Sequence, residues 1–386
     1  MQRIFLLAFL LVSLSSNAVF AQQLSQNAQI SLLIASPGTE VYNTFGHSAF
    51  RIKDPNRNLD IVFDYGVFDF ETPNFIGKFV RGKLPYRLAV RRFVDYEDSY
   101  SSLPQSVNEY ILNLNNSQQN KLFAFLLENN EPENRYYLYD FFYDNCATVI
   151  RDILEKESNP EIKAPDGFQT LPFRHYLDEC LVDKYWLDFG IDLILGLEAD
   201  KIADMRMQMF LPGYLASNLS HYYIQKDGSE QSIIASKQLL FPKKPFPKGI
   251  NWFLRPFFIM CLISLSLGLL YHFLKARWLA NALYIIFGLG GAFLLFMWLG
   301  TDHQATYRNL NMIWINPFYL LLPFLGWKNQ QNPWYRYLLL FLLACNIVVL
   351  GGWNLLPQQF HAAIIPLIAL MGFILLKNIM SVRNKR

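Results

Sequence analysis

Cys146 is the residue in this chain whose local sequence most clearly suggests chemistry. It lies in the segment Tyr143-Asp144-Asn145-Cys146-Ala147-Thr148, where a helix is expected to begin near Asp144, with Asp144 or Asn145 as its cap. A cysteine in the first turn of a helix lies near the positive end of the helix dipole, which lowers the pKa of the thiol. Because the thiolate is the reactive form, this position predicts a nucleophile. Asn145 and the backbone amides around Cys146 are then the natural donors for an oxyanion.

The other three cysteines have different surroundings, and one of them leaves an alternative open. Cys261 and Cys345 lie in apolar segments, where they are expected to be packing residues. Cys180 lies in the middle of a predicted helix. Since Cys146 and Cys180 are both expected on the exported side, a disulfide between them is the alternative to a nucleophilic Cys146.

A nucleophilic cysteine needs a base, and His47 is the histidine best placed to serve as one. It follows Gly46 at the start of a predicted strand, so a rigid element can present it at the edge of a sheet. Asp64 lies in a later predicted strand and could accept a hydrogen bond from the imidazole if the two strands pair. Two alternatives stay open: His47 as a hydrogen-bonded structural residue, and Asp64 as a turn or surface carboxylate. His175 and His221 are expected at the surface.

Strands followed by helices surround these residues, which is the pattern of an α+β domain. The predicted strands are Gln29–Ala35, Ser48–Lys53, Leu59–Phe68 and Leu84–Phe93. The predicted helices are Ser117–Glu128, capped by Ser117, then Asp144 to about Lys156, Phe173–Leu181 and Leu193–Met209. Residues 54–58 form a turn cluster, so the second and third strands are expected to make a hairpin.

The chain begins with a predicted secretory signal, residues 1–21. A basic residue precedes an apolar stretch, and Val19-Phe20-Ala21 provides a cleavage site with small residues. No cysteine lies near that site, so the protein is not predicted to be a lipoprotein itself. Residues 22–252 are therefore predicted to form one exported domain, which ends in the rigid linker Pro242–Pro247. An uncleaved anchor is the alternative to a cleaved signal.

The last third of the chain has a composition that excludes a wholly soluble protein. Residues 253–386 contain one acidic residue, Asp302, out of 31 in the chain, against ten Lys and Arg. A membrane helix needs about 20 apolar residues. Five apolar segments predict an all-α domain of five spans, of which the third is short and contains Pro317 and Pro323: Phe253–Leu274, Leu279–Leu299, Ile313–Trp327, Tyr337–Trp353 and Gln358–Leu376.

The basic residues of this part predict its orientation. Five spans after an exported start put the carboxyl terminus in the cytoplasm, where it joins Lys275, Arg277, Lys328 and Arg336. The basic tail Lys377–Arg386 is therefore interpreted as an orientation signal, and no nucleic-acid partner is expected.

The exported loop Gly300–Met312 brings polar side chains to the membrane surface on the side of the exported domain. His303 or Arg308 could hold a phosphate headgroup there, and Asn309 and Asn311 are candidates for the same lipid site. An interfacial loop without a ligand is the alternative.

Taken together, the segments around His47, Asp64 and Cys146 resemble one bacterial family. They look like the Lnb-type bacterial lipoprotein N-acyltransferases, and the resemblance covers nearly the whole mature chain. The order of His before Cys is also similar to the permuted papain-like acyltransferases such as lecithin:retinol acyltransferase. The matching segments are Gly46-His47-Ser48-Ala49-Phe50-Arg51, Asp64-Tyr65-Gly66-Val67-Phe68-Asp69-Phe70, Tyr143–Thr148, Met209–Leu215, His303 and Asn309-Leu310-Asn311.

This resemblance implies a permuted papain-like domain, with an antiparallel sheet and helices, on the periplasmic side of the bacterial inner membrane. It implies that Cys146 takes an acyl chain from a phospholipid as a thioester. The chain would then pass to the α-amino group of the diacylglyceryl-modified cysteine of a lipoprotein, with His47 as base and then acid. Related sequences often have Asn at the position of Asp64, so its role stays open. No cofactor and no metal are implied.

Three other functions remain possible from the sequence. The same Cys–His pair suits a membrane-anchored papain-like peptidase or amidase of the cell wall, or a thiol phospholipase in which water replaces the amine. A non-enzymatic receptor or transporter subunit would instead have the Cys146–Cys180 disulfide. Transporters usually carry ionisable residues within their spans, whereas here only His272 and His361 qualify.

Overall fold

The computed structural model describes residues 23–226, 228–244, 251–274, 276–328 and 331–383, and these form two compact units. The first unit contains the described residues of 23–75, 84–170 and 204–244. The second contains 76–83, 171–203 and the described residues from 251 onward. The predicted signal, residues 1–21, and the second half of the predicted linker lie outside the described residues. The domain limits at 22–252 and 253–386 remain predictions.

The strands belong to one large sheet and two small ones. In chain order they are β1 Gln29–Ala35, β2 His47–Asp54, β3 Leu59–Phe68, β4 Pro85–Arg92, β5 Val107–Leu112, β6 Tyr136–Leu138, β7 Glu161–Ile162, β8 Leu171–Pro172, β9 Ile202–Ala203, β10 Tyr222–Lys226, β11 Ser229–Ser232 and β12 Ile234–Phe241. The large sheet is antiparallel, with the order β12-β5-β1-β2-β3-β4-β6. The four predicted strands are confirmed, and so is the hairpin, whose turn contains the 3-10 helix Pro55–Arg57.

The α-helices are short in the first unit and mostly long in the second. They are α1 Phe75–Val80, α2 Phe93–Ser101, α3 Asn116–Asn129, α4 Cys146–Ser158, α5 Phe173–Leu181, α6 Tyr185–Ile194, α7 Met205–Gln208, α8 Pro212–Leu219, α9 Pro256–Leu274, α10 Arg277–Leu299, α11 Leu321–Lys328, α12 Pro333–Gly351 and α13 Ile364–Arg383. The cap of α3 is Asn115, not the predicted Ser117. The reason is a capping box: the Asn115 side-chain oxygen accepts from the Gln118 amide, and the Gln118 side-chain oxygen accepts from the Asn115 amide.

Apolar residues cover both faces of the large sheet. On one face, Phe50 and Phe63 share a core with Ala147 and Ile150 of α4. On the other face, a smaller core includes Tyr96 of α2. Because alternate residues of a strand point to opposite faces, β2 directs one row of side chains toward α4 and the other row toward α2. Helix α4 is therefore held directly over the strands that carry His47 and Asp64.

The predicted helix Leu193–Met209 is wrong. Helix α6 ends at Ile194, and a 3-10 turn at Leu197–Asp200, strand β9 and helix α7 follow. The chain leaves the helix because the Gly196 and Leu197 amides donate to the carbonyls of Ala305 and Tyr307, at 2.9 and 3.2 Å. Long-range backbone bonds thus override a local helical pattern.

The predicted order of an α+β domain followed by a helical membrane domain is confirmed. Four helices among the described residues are long and apolar enough to cross a membrane, namely α9, α10, α12 and most of α13. The third predicted segment is apolar but shorter, with a 3-10 turn at Pro317–Leu320 before α11. Pro317 and Pro323 each lie in a first helical turn, where a missing amide proton costs no hydrogen bond.

Close backbone contact with the Pro317 turn makes Gly291 of α10 intolerant of a side chain. A Cβ at Gly291 would lie 2.2 Å from the Ile315 carbonyl oxygen, whereas one at Gly268 would lie 3.7 Å from its nearest neighbour, the side chain of Leu370. We expect Gly291→Ala to destabilise the detergent-solubilised protein by about 1–3 kcal/mol through overpacking. Gly268→Ala, the matched control, should be neutral or slightly stabilising. Apparent melting temperatures test this, and equal values for the two variants would contradict it.

Candidate active site

Cys146 is the first residue of α4, and Asn145 is the cap of that helix. The Asn145 side-chain oxygen accepts from the amides of Ala147 and Thr148, at 2.8 and 3.0 Å. The Thr148 hydroxyl accepts from the Asn145 amide at 2.7 Å, which completes a capping box. Of the two predicted caps, Asn145 is therefore the one used. The Cys146 amide has no hydrogen-bond acceptor among the described residues, so it remains available to a substrate.

The other end of the Asn145 side chain anchors the nucleophile segment to the core. Its amide nitrogen donates to the carbonyls of Phe141 and Phe210, at 2.7 and 2.9 Å. Phe210 belongs to the buried segment Met209–Leu215 that the sequence analysis had singled out. Both amide hydrogens are committed, so the side chain of Asn145 has no donor left for an oxyanion, and its role in this structure is positioning.

His47 begins β2 immediately after Gly46. Gly46 has a φ of +81°, and a Cβ there would lie 2.6 Å from the Ala35 carbonyl oxygen, so only glycine fits. The register pairs of β2 with β3 end at Phe50–Phe63. His47 and Asp64 therefore lie beyond the paired part of the two strands, where space opens for their side chains.

The structure brings His47 and Asp64 into direct contact. His47 Nε2 and Asp64 Oδ1 are 2.5 Å apart. The second carboxylate oxygen of Asp64 accepts from Arg91 Nη2 at 2.7 Å, and Asp64 is buried. Since Nε2 is engaged, Nδ1 is the imidazole nitrogen left for the thiol. Arg91 was not predicted as a site residue, because nothing in the alternation of β4 distinguishes this arginine from Arg87 or Arg92.

Charge pairing sets the protonation states of the three groups. Burial alone would raise the pKa of the Cys146 thiol, but the His47 charge and hydrogen bonds from His47 and Ser48 lower it below its ordinary value. Burial would lower the pKa of His47, but Asp64 and Cys146 raise it well above its ordinary value. Burial would raise the pKa of Asp64, but His47 and Arg91 hold it low. The electrostatics therefore favour a thiolate and an imidazolium that stabilise each other beside a carboxylate.

Ser48 is a second site residue that the sequence analysis did not single out. It is buried, and its hydroxyl and amide lie beside the Cys146 sulfur, where they help to lower the thiol pKa. The Ser48 hydroxyl makes no hydrogen bond to an oxygen or nitrogen among the described residues. Strand alternation was the available signal, because it directs the residue after His47 toward α4.

A cavity of about 410 Å³ adjoins the site in the first unit. His47, Asp64, Gly66 and Phe68 are part of its wall. Cys146 lies next to this wall, because a Cβ placed on Gly66 would be 3.6 Å from the Cys146 Cβ. Gly66 thus connects the cavity wall to the candidate nucleophile.

The four residues predicted to bind lipid lie in the second unit, whereas Cys146, His47 and Asp64 lie in the first. Asn309 and Asn311 are buried, and their amide groups donate to backbone carbonyls of 192–194 at 2.8–3.3 Å. His303 Nε2 lies 3.0 Å from the Phe79 carbonyl oxygen. Arg308 is exposed, with a φ of +55°. The two asparagines are thus used internally, and Arg308 keeps an accessible charge.

Cys146 and Cys180 differ in the way a nucleophile and a packing cysteine should differ. Both thiols are free in the structure, so no disulfide joins them. Burial and then the charge of Glu179 raise the pKa of Cys180 to about 11, which Lys184 offsets only in part, whereas the pKa of Cys146 is lowered. Only Cys146 therefore has the electrostatics of a reactive thiol.

Asp178, Asp188 and Asp192 are the only cluster of potential metal ligands found among the described residues. Burial and the neighbouring carboxylates raise the pKa values of Asp178 and Asp188 to about 7. The buried Arg174 is paired with Asp192 and with Asp200. Arg174 thus supplies the positive charge this cluster needs, and we assign it a structural role.

An α+β domain with a buried Cys–His–Asp arrangement, followed by membrane-spanning helices, defines a membrane-anchored protein with a cysteine-based candidate active site. Comparison with protein families gives two matches. Residues 17–177 match the Lnb N-terminal periplasmic domain, and residues 248–386 match the Lnb transmembrane domain. The chain therefore belongs to the Lnb family, and the predicted resemblance is confirmed. No curated protein and no solved structure matches it.

The electrostatics predict how the reactivity of Cys146 depends on pH. We expect its alkylation by iodoacetamide to have a midpoint below the ordinary thiol value of about 9, because the His47 charge stabilises the thiolate. His47→Ala should move the midpoint upward, since burial then acts unopposed. Peptide mass spectrometry measures the rate at each cysteine separately, with Cys180 as the internal control. A midpoint that ignores His47→Ala would contradict the ion pair.

Proposed function

We propose that this Lnb-family protein is a lipoprotein N-acyltransferase. It would move an acyl chain from a phospholipid, through a thioester on Cys146, to the α-amino group of the diacylglyceryl cysteine of a lipoprotein. The observation that carries the proposal is Cys146 in the first turn of α4 together with the His47–Asp64 pair, which lowers the thiol pKa, in a domain of this family. A thiolate that is already ionised suits attack on an ester, and a thioester remains reactive toward an amine.

In the first half-reaction, the Cys146 thiolate attacks the ester carbonyl of the phospholipid. The tetrahedral intermediate expels the glycerol oxygen, which takes the proton from His47 and leaves as a lysophospholipid. The products are the acyl thioester and a neutral imidazole. Asp64 holds the ring by Nε2 throughout, so that Nδ1 keeps facing the reacting atoms.

In the second half-reaction, neutral His47 accepts a proton from the attacking α-amine. The amine displaces the thiolate, an amide forms, and the thiolate–imidazolium pair is restored. The overall balance is one ester and one amine converted to one amide and one lysophospholipid. Asp64, which Arg91 helps to keep ionised, keeps the imidazole basic enough for this step, because the carboxylate stabilises the imidazolium that forms.

Exposed apolar residues beside the cavity support a lipid donor. Val41 and Tyr42 are 72% and 76% exposed, and Tyr42 is also part of the cavity wall. Phe68 of the wall packs on Phe70, which is 74% exposed, with ring centroids 4.9 Å apart. Each methylene kept out of water contributes about 0.8 kcal/mol. Val41, Tyr42 and Phe70 thus form an apolar rim beside the cavity. Its exposure to water is unfavourable, and a lipid chain that covers it removes this cost.

The proposal includes the location of the reaction. Residues 1–21 would direct export, the site would face the periplasm, and the basic carboxyl-terminal tail would stay in the cytoplasm at the inner membrane. Arg308 and His303 remain proposed contacts for a lipid headgroup. Asn309 and Asn311 are not included, because their amide groups already bind backbone carbonyls.

The rim, Val41, Tyr42 and Phe70, is open to direct test. We expect Val41→Asp and Phe70→Asp each to slow acyl transfer from phospholipid vesicles by about tenfold or more, because the charge must be desolvated where the chain enters. Leu239→Asp is the matched control, since Leu239 is 58% exposed on strand β12 and is not part of the cavity wall. Equal rates for all three variants would contradict a lipid-binding rim.

The reaction is tested by the amino-terminal acylation of lipoproteins in a strain that depends on this protein. Cys146→Ser and His47→Ala should each abolish it, whereas Cys180→Ser should leave it intact. Mass spectrometry of the lipopeptides reads out the result. Normal acylation in either of the first two variants would refute the assigned nucleophile or base. Release of the acyl group from Cys146 by water as fast as by an amine would instead indicate a phospholipase.

A further inference from the structure

The hydroxyl group of Tyr137 lies close to the candidate nucleophile and lacks a hydrogen-bond partner among the described residues. Tyr137 belongs to β6, where Tyr136 and Leu138 are exposed and alternation turns Tyr137 inward. Its oxygen is buried and has no hydrogen-bond partner among the described residues. A buried hydroxyl without a partner costs about 1–3 kcal/mol. Such a group persists at a functional site when a transient partner satisfies it.

Gly66 defines the space that this hydroxyl faces. A Cβ on Gly66 would lie 3.6 Å from the Cys146 Cβ, 3.8 Å from the Tyr137 hydroxyl oxygen and 4.0 Å from the ring of Tyr139. Gly66 has a φ of +84° and lies at an irregularity in the pairing of β3 with β4. The strand thus leaves a small space, next to its backbone, that both the nucleophile and the hydroxyl border.

The Tyr137 hydroxyl is a donor at every pH at which the site works. Burial first, and then the nearby charge of Cys146, raise its pKa well above the ordinary value. It therefore stays protonated and neutral beside the thiolate. A neutral hydroxyl interacts weakly with a ground-state carbonyl and strongly with the alkoxide of a tetrahedral intermediate, which is the requirement for selective stabilisation.

The site otherwise has one evident oxyanion donor in the first turn of α4. The amides of Ala147 and Thr148 are bound by the cap, and the side chain of Asn145 is committed to Phe141 and Phe210. That leaves the amide of Cys146 itself. Two donors are the usual complement of an oxyanion hole.

We propose that Tyr137 supplies the second oxyanion donor, and that the oxyanion occupies the space beside Gly66 between the nucleophile and the Tyr137 hydroxyl. The inference rests on the proposed function in one respect, namely that Cys146 forms an acyl thioester. When the thiolate adds to the ester carbonyl, the carbonyl π electrons move to the oxygen, which Tyr137 then stabilises. The proton stays on the phenol, and collapse of the intermediate returns the electron pair to the carbonyl.

Tyr65 provides a matched control. Its ring packs against that of Tyr137, with centroids 6.4 Å apart, but its hydroxyl donates to Asn129 at 2.6 Å. Tyr137→Phe and Tyr65→Phe thus each remove one buried hydroxyl from neighbouring rings. Only the first removes a hydroxyl that borders the space beside Gly66.

The experiment measures acylation of Cys146 in the full-length, detergent-solubilised protein with p-nitrophenyl butyrate as the acyl donor. The burst of nitrophenolate gives the rate, and mass spectrometry locates the butyryl group on Cys146. We expect Tyr137→Phe to slow the burst about 100- to 1000-fold, the usual effect of losing one oxyanion donor. Tyr65→Phe should keep the wild-type burst rate. The pH profile of iodoacetamide alkylation should be unchanged in both variants, because alkylation forms no oxyanion.

The outcomes test the inference and the proposed function separately, except where Cys146 itself fails to be acylated. If the wild-type protein gives a burst and Tyr137→Phe gives a burst at the same rate, the role of Tyr137 alone is overturned. A burst that depends on Tyr137, without transfer to a lipopeptide amine, overturns the transferase and keeps the inference. No wild-type burst overturns both. If the pH profile of alkylation changes in Tyr137→Phe, the substitution has disturbed Cys146 itself. The role of Tyr137 is then tested with 3-fluorotyrosine at position 137. It keeps the shape and makes the phenol a stronger donor, so an unchanged burst rate would refute the proposal.

Discussion

The buried carboxylate of Asp64 is the interaction on which the rest of the site depends. Burial disfavours its charge, and it stays ionised because His47 and Arg91 bind one oxygen each. Removing one partner from a buried ion pair typically costs about 3–5 kcal/mol. The carboxylate in turn raises the pKa of His47, and the charge of His47 lowers the pKa of the Cys146 thiol. With Cys146 and His47 both ionised, the charges of Asp64, Arg91, His47 and Cys146 sum to zero, which lowers the cost of placing so polar a group between two apolar cores.

Backbone irregularities make room for these charges. Gly46 has a left-handed conformation directly before His47, and Gly66 has one directly beside Cys146. A regular hairpin would have continued its pairing past Phe50–Phe63 and left no space between the strands. The start of helix α4, which carries Cys146, is held in place because the oxygen and the nitrogen of the Asn145 side-chain amide are both hydrogen-bonded. Positioning and chemistry are thus divided between different residues.

The membrane constrains the second unit in a different way. In hydrocarbon every backbone amide must be satisfied within the protein, so the long apolar segments become helices. Where prolines interrupt the third segment, the chain forms a 3-10 turn, which packs against glycines 288–291 of α10, and then a shorter helix. The scarcity of carboxylates has the same origin, because an unpaired acid in a span is costly. Asp302, the one acid of residues 253–386, lies outside the spans and is 3.7 Å from Lys83.

The sequence by itself determined the features that depend on local pattern and on solvent. Alternation and turn residues were enough for the hairpin of β2 and β3, and hydropathy was enough for four long spans. The first-turn position of Cys146 and the glycine before His47 were enough to select the candidate nucleophile and its candidate base. Each of these signals is contained within a few consecutive residues, so no long-range information was needed.

Only the tertiary structure decided which side chains meet. Arg91 reaches Asp64 across paired strands, and Ser48 and Tyr137 approach Cys146 from two different strands of the sheet. The side-chain amides of Asn145, Asn309 and Asn311 each donate at least one hydrogen bond to a backbone carbonyl more than 60 residues away in the sequence. The helix predicted at Leu193–Met209 failed for the same reason, since its backbone found partners in residues 305–307. Hydrogen bonds between distant segments depend on the packing of the whole unit, and no local pattern in the sequence encodes that packing.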